Sequence, residues 1–235
     1  MHKVAFITGS SKGIGKAITE LLLSENYIVF GYSRTNTIRH QNFTFTRINL
    51  SNLKEVKQLS FPKVGNAEVL LINNAATIGE IMPLHLKGHT GIINDYNLNI
   101  ISPTILCALF ISRFNQNKKL IINISSGASK NAIASWSTYC ATKAALDTLT
   151  HVITEEKHRD LTVFSVSPGI VDTRMQAEIR DADVNLFPLL SKFTNYYNNN
   201  QLENTRTVAQ KLLYIIQNYT KYHQNILSIR DVDIN

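Results

Sequence analysis

The stretch KVAFITGSSKGIG, Lys3–Gly15, decides the fold. Its first half, Val4–Ile7, is the near-continuous apolar run of a strand covered on both faces. The run ends at Thr8, glycines follow at positions 9, 13 and 15, and a helical pattern starts at once. Glycines at such a junction let the backbone turn tightly and approach a pyrophosphate, whose charge sits against the free N–H groups of the helix start. The spacing is G-x-x-x-G-x-G rather than the commoner G-x-G-x-x-G, a variant of the dinucleotide turn. Its expected contacts are Gly9, Ser11, Lys12, Gly13, Ile14 and Gly15.

Outward from this turn the alternation repeats. Strands are expected at Lys3–Thr8, Tyr27–Tyr32, Phe43–Ile48, Glu68–Asn73, Leu120–Ile124, Leu161–Ser167 and Asn225–Ile229. Helical spacing covers Ile14–Ser24, Leu53–Leu59, Ile92–Phe114, Thr138–Glu156 and Thr207–Tyr219. Strand–helix alternation through one unit of 235 residues predicts an α/β fold, a single-domain, doubly wound Rossmann-type parallel sheet with helices on both faces. One segment departs from the pattern. Arg174–Thr205 holds Met175, Ile179, Phe187, Leu189, Phe193, Tyr196 and Tyr197 around a Pro188 break. Those side chains are too many for a solvated loop and too irregular for one buried helix. The expectation is an insertion, 174–205, that forms a mobile lid over the substrate.

Composition narrows the class. With 44% hydrophobic and 17% charged residues the chain is neither disordered nor fibrous. Two cysteines, Cys107 and Cys140, cannot build a disulfide framework. The longest apolar run, Ile100–Ile111, is broken by Ser102 and Pro103 and is too short to cross a bilayer. No stretch after Met1 has the length of a secretory signal, so a soluble, cytoplasmic protein without membrane association is expected. The net charge is +7. The Lys and Arg residues are nevertheless scattered, and Lys118-Lys119 is the one adjacent pair, which reads as a solvated basic surface without a nucleic-acid partner.

The end of the second strand selects the cofactor. An NAD site places Asp or Glu there to bond the ribose 2′-hydroxyl, whereas a 2′-phosphate needs Arg. Here the chain reads Tyr32-Ser33-Arg34-Thr35, with no carboxylate. Arg34 can stack on adenine and pair the phosphate, Ser33 can donate to it, and Lys12 adds charge from the glycine turn. The cofactor expected is NADP(H).

Tyr139 and Lys143 lie four apart on a strong helical pattern and so share a face. Before them, Asn73-Asn74-Ala75-Ala76 and Ile122-Asn123-Ile124-Ser125-Ser126 each end a strand. With Thr8–Gly15, Asn99 in Asn-Ile-Ile-Ser-Pro, and Pro168-Gly169-Ile170-Val171-Asp172-Thr173, six motifs stand in order over nearly the whole chain. In this the sequence resembles the short-chain dehydrogenase/reductase family. The resemblance implies that Tyr139 exchanges a proton with the substrate oxygen and that Ser126 holds that oxygen. It further implies that Lys143 lowers the tyrosine pKa and bonds the nicotinamide ribose, and that Asn99 fixes a water leading to solvent. An ammonium beside a phenol has that effect on ordinary physical grounds. Asn74 and Ala75 would line the ribose, and Pro168, Gly169, Val171 and Thr173 the nicotinamide amide. Ala76 replaces the family's usual Gly. Asn49, ahead of Leu50, replaces an Asp that meets the adenine amine, and its carboxamide oxygen can accept the same bond.

Within the family, PGIVDTRMQAEIR and the residues around Ser126 and Tyr139 look most like the benzil reductase and sepiapterin reductase branch. That branch implies NADPH-dependent reduction of one carbonyl of a vicinal diketone, with a small-molecule carbonyl substrate and a homodimer or homotetramer formed through Ile92–Phe114 and Thr138–Glu156. Trp136, Met175, Phe187 and Phe193 are candidate substrate contacts. A 3-oxoacyl-type ketoreductase, although Thr138 stands where that enzyme has Asn, and a non-catalytic dinucleotide-binding regulator remain alternatives. His85 and His89 have the spacing of a helical metal pair. Pro83 and Gly88 argue a loop there, and no further ligand follows, so no metal is expected. Cys140 is expected to pack in the core.

Overall fold

The computed structural model describes residues 2–234. Strand β1 (His2–Thr8) leads through the glycine turn into α1 (Gly13–Ser24), then β2 (Ile28–Ser33), β3 (Phe43–Arg47), α2 (Leu53–Gln58) and β4 (Ala67–Asn73). Helices α3 (His89–Tyr96) and α4 (Ser102–Arg113), β5 (Lys118–Ile124), α5 (Ser137–Glu155) and β6 (Leu161–Ser167) follow. Helices α6 (Arg174–Arg180), α7 (Leu190–Asn198) and α8 (Thr205–Gln217) and strand β7 (Ile226–Ser228) complete the chain. The strands form one parallel sheet in the order β3-β2-β1-β4-β5-β6-β7.

Both faces of this sheet are covered, which is why its central strands are apolar throughout. In β1, Ala5 and Ile7 join the core under α1 and α8, while Val4 and Phe6 join the core under α4 and α5. Because the chain runs outward from β1 to β3 and then returns to β4, the strand order reverses between β1 and β4. Such a switch point leaves a crevice beyond the carboxyl ends of the strands. A third apolar cluster sits above that edge, built from Ile78, Ala128, Trp136, Tyr139, Ile179, Phe187 and Phe193.

Three expectations need correction. The helix read as Ile92–Phe114 begins earlier, at His89, and is interrupted by a π turn, Asn97–Ile101. Pro103 has no N–H with which to give the Asn99 carbonyl its α-helical bond, so the ladder shifts register there. His85 and His89 lie on a short 3₁₀ turn (Leu84–Leu86) and at the start of α3 rather than in an open loop. No group of three His, Cys, Asp or Glu residues among those described could hold a metal. Cys140 is only half-buried, its thiol 3.6 Å from the Asn131 carbonyl, so it edges the third cluster instead of filling a core. No described helix is long and apolar enough to cross a membrane.

Candidate active site

The turn after β1 is built for close approach. Gly9 and Gly13 have φ of +68° and +50°, and a Cβ on Gly9 would stand 2.8 Å from Asn74 Nδ2. At Gly15 a Cβ would meet the Gly9 carbonyl at 2.2 Å, so only glycine fits beneath the turn. Asn74 fastens this turn to the end of β4. Its Nδ2 donates to Thr8 O (3.0 Å), while Asn74 N and Ala75 N donate to Thr8 Oγ1 at 2.9 and 3.0 Å.

The result is a cleft of about 440 Å³ at the switch point. Gly9, Ser11, Lys12, Gly13, Ile14, Ser33, Arg34, Asn49 and Leu50 line its outer half; Asn74, Ala75, Ala76, Tyr139, Lys143, Pro168, Thr173 and Met175 line the inner half. Gly15, Gly169 and Val171 stand behind it as supports. Gly169 takes φ +75° after Pro168, and Val171 bridges to Glu203, closing the base of the 174–205 segment. The lining also takes in Tyr32, Thr35, Ile48, Ser51, Leu98, Ile124, Ser125 and Arg174, which the sequence did not mark as contacts although each lies within two residues of a predicted one.

Two outer positions differ from expectation. The Ser33 hydroxyl spends its proton on Thr35 O at 2.7 Å, so it meets an incoming anion only by giving up that bond. Asn49 Oδ1 already accepts from Ser51 N and Ser51 Oγ, at 3.2 and 2.9 Å, so an adenine amine competes with both. Arg34 and Lys12 are exposed at the cleft mouth.

In the inner half, Tyr139 is 7% and Lys143 3% exposed. Lys143 Nζ donates to Ile124 O at 2.7 Å and lies 5.7 Å from the Tyr139 ring centre. Burial pulls the lysine down to about 8, opposed by the charge of Asp147 one turn further along α5. Burial pushes the Tyr139 phenol up, opposed by its hydrogen bond with Ser126. The site therefore holds a neutral tyrosine with its proton in place. Asn99 sits on the π turn. Its carboxamide accepts from Thr77 N and donates to Thr77 O, both at 2.9 Å, and reaches Thr142 Oγ1 at 3.3 Å.

The substrate candidates divide. Met175 lines the cleft. Trp136, Phe187 and Phe193 instead pack on one another, with Trp136 stacked on Phe187 at 5.6 Å. Two short helices, α6 and α7, make up half of the insertion, which accounts for its irregular apolar spacing.

A glycine cradle at a sheet switch point with a tyrosine–lysine pair facing it defines a dinucleotide-dependent oxidoreductase. The short chain dehydrogenase family pattern matches residues 3–184, and the chain belongs to that family, whose members use NAD(P)(H) on CH–OH or C=O groups. It is 34% identical over 230 residues to benzil reductase ((S)-benzoin forming) of Bacillus subtilis strain 168, covering 92% of this chain and 93% of that protein. It is 28% identical over 243 residues to sepiapterin reductase of Rattus norvegicus, covering 92% of each. Among solved structures, a short chain dehydrogenase/reductase of Saccharomyces cerevisiae superposes with a TM-score of 0.85 at 24% identity, over 97% of this chain and 96% of that one.

Proposed function

We propose that the protein is an NADPH-dependent carbonyl reductase acting on a ketone or vicinal diketone. The observation that carries this is the buried, proton-bearing Tyr139, bonded to Ser126 and close to Lys143 at the inner end of the cleft. The relatives named above add weight to a dicarbonyl substrate. Oxidation of NADPH across a panel of ketones and vicinal diketones tests the reading, and no turnover with any of them would end it.

The glycine cradle and the N–H groups opening α1 suit a pyrophosphate, and Arg34 with Lys12 suits a 2′-phosphate. When bound, the reduced nicotinamide supplies the hydride. The Ser126 hydroxyl holds the substrate oxygen, and Tyr139 gives its proton to that oxygen as charge develops. Lys143 keeps donors beyond the one spent on Ile124 O, available to ribose hydroxyls, and its positive charge stabilises the phenolate left behind. Asn99, held on the π turn by its side-chain bonds to Thr77, is the residue that fixes a water linking Lys143 to solvent. Helices α6 and α7 serve as the cover.

This division of labour fixes a pH dependence. Lys143 must be charged, and it is charged below its folded pKa of about 8. The kcat/KM for NADPH, which reports the free enzyme, should be level below that pH and fall about tenfold per unit above it. A profile level to pH 10 would remove Lys143 from the charged role.

Ile93, Ile101 and Val152 are exposed on the α3–α4 and α5 surfaces, at 59%, 37% and 50%. The proposed homodimer or homotetramer covers these side chains. Light scattering should give at least twice the 26.5 kDa of one chain, and a monomer at assay concentration would reject the pairing.

A further inference from the structure

Seven buried side-chain atoms have no hydrogen-bond partner among the described residues, and four of them belong to Trp136, Gln176 and Arg180. Leaving a buried polar group unmet costs a fold stability, so such a concentration calls for a physical reason. The three residues are linked through one apolar cluster. Gln176 and Ile179 are the buried side chains of α6, so they share its inward face, and Arg180 follows Gln176 by one turn. Ile179 packs in the cluster that holds Trp136 and Tyr139. Trp136 lies one turn before Tyr139, with ring centres 5.7 Å apart. The Arg180 guanidinium lies 4.0 Å from the Tyr197 ring centre, and the neighbouring Tyr196 packs on Phe193 of the same cluster. Glu178, on the same helix, pairs with Arg174 at 3.0 Å.

The unmet atoms also have a common chemistry. Trp136 Nε1, Gln176 Nε2 and Arg180 Nη1 are donors, one of them cationic, against a single acceptor, Gln176 Oε1. Two oxygens with several lone pairs and a negative charge answer that set best. We infer that this corner binds a carboxylate carried by the substrate, so that the enzyme reduces oxo acids in preference to neutral carbonyl compounds of the same shape.

The inference rests on the reductase reading and narrows it, since a ketone beside a carboxylate is itself a vicinal dicarbonyl unit. The ketone carbon gains the hydride and its oxygen gains the Tyr139 proton, giving a hydroxy acid and oxidised dinucleotide. Met175, next to Gln176, lines the cleft, so α6 joins the two places. In the present packing α6 and α7 themselves cover the polar atoms, and the ligand reaches them by displacing that cover.

A matched pair tests this: benzoylformate against its methyl ester, with NADPH. The acid should have at least a tenfold higher kcat/KM than the ester. Gln176→Leu and Arg180→Gln should each lower that ratio about tenfold, mainly through the KM of the acid, and Arg180→Lys should keep part of it. Gln176→Leu should also raise the Tm of the ligand-free protein by about 2–4 °C, because an apolar side chain of similar size replaces an unmet amide. A merely structural glutamine would lower it. Benzoate, which cannot turn over, should raise the Tm of the NADPH-bound protein, and both substitutions should abolish that rise. Should no carbonyl compound oxidise NADPH, a benzoate effect that the two variants remove would still support the carboxylate site while the reductase reading fell. Equal use of acid and ester, no benzoate effect, or a lower Tm for Gln176→Leu would overturn the site.

Discussion

Tyr139→Phe is expected to lower kcat for carbonyl reduction by about 10²–10⁴-fold, the range contributed by a positioned acid–base group. The substitution is narrow. The ring keeps its place beside Trp136, with centres 5.7 Å apart, and what is lost is one hydroxyl and its bond with Ser126. Lys143 retains its bond to Ile124 O, so the inner end of the cleft keeps its shape. Dinucleotide affinity, followed by the fluorescence of bound NADPH, should therefore change little while turnover collapses. That contrast separates a lost proton from a collapsed site. Turnover within a few-fold of the parent enzyme would mean that another group supplies the proton.

The second large effect concerns the cofactor. NADPH should exceed NADH in kcat/KM by roughly 10–150-fold, because a charge-assisted bond to the 2′-phosphate contributes about 1.5–3 kcal/mol. The end of β2 carries no acid, and Ser33 has its proton on Thr35 O, so selection falls on Arg34 and Lys12. Both are exposed at the cleft mouth, where salt screens them, and raising ionic strength should narrow the gap. Arg34→Glu should reverse the order, since a carboxylate repels the phosphate and offers an acceptor to the ribose hydroxyls. Equal use of NADH by the parent enzyme, or indifference to Arg34→Glu, would show that this loop faces elsewhere.

Much of this was readable in the chain because the signals are local. The apolar run into Gly9, Gly13 and Gly15 encodes strand, turn and helix within thirteen residues, and the seven strands fall within two residues of where periodicity places them. Tyr139 and Lys143 share a face because four residues span about one helical turn, wherever that helix packs. Pairings between distant residues are another matter. That Asn74 locks the Gly9 turn, or that Ser33 and Asn49 have spent their polar atoms on neighbours, depends on bonds that periodicity does not encode. The π turn at Asn97–Ile101 had a local cause in Pro103, yet the apolar spacing on either side ran on as if the helix were unbroken. The 174–205 segment shows the limit most clearly. Its apolar count implied burial, but only the tertiary structure decided that Phe187 and Phe193 pack on Trp136 instead of opening onto the cleft. It also left Gln176 buried without a partner among the described residues, because burial and hydrogen bonding are set by what the rest of the fold brings alongside.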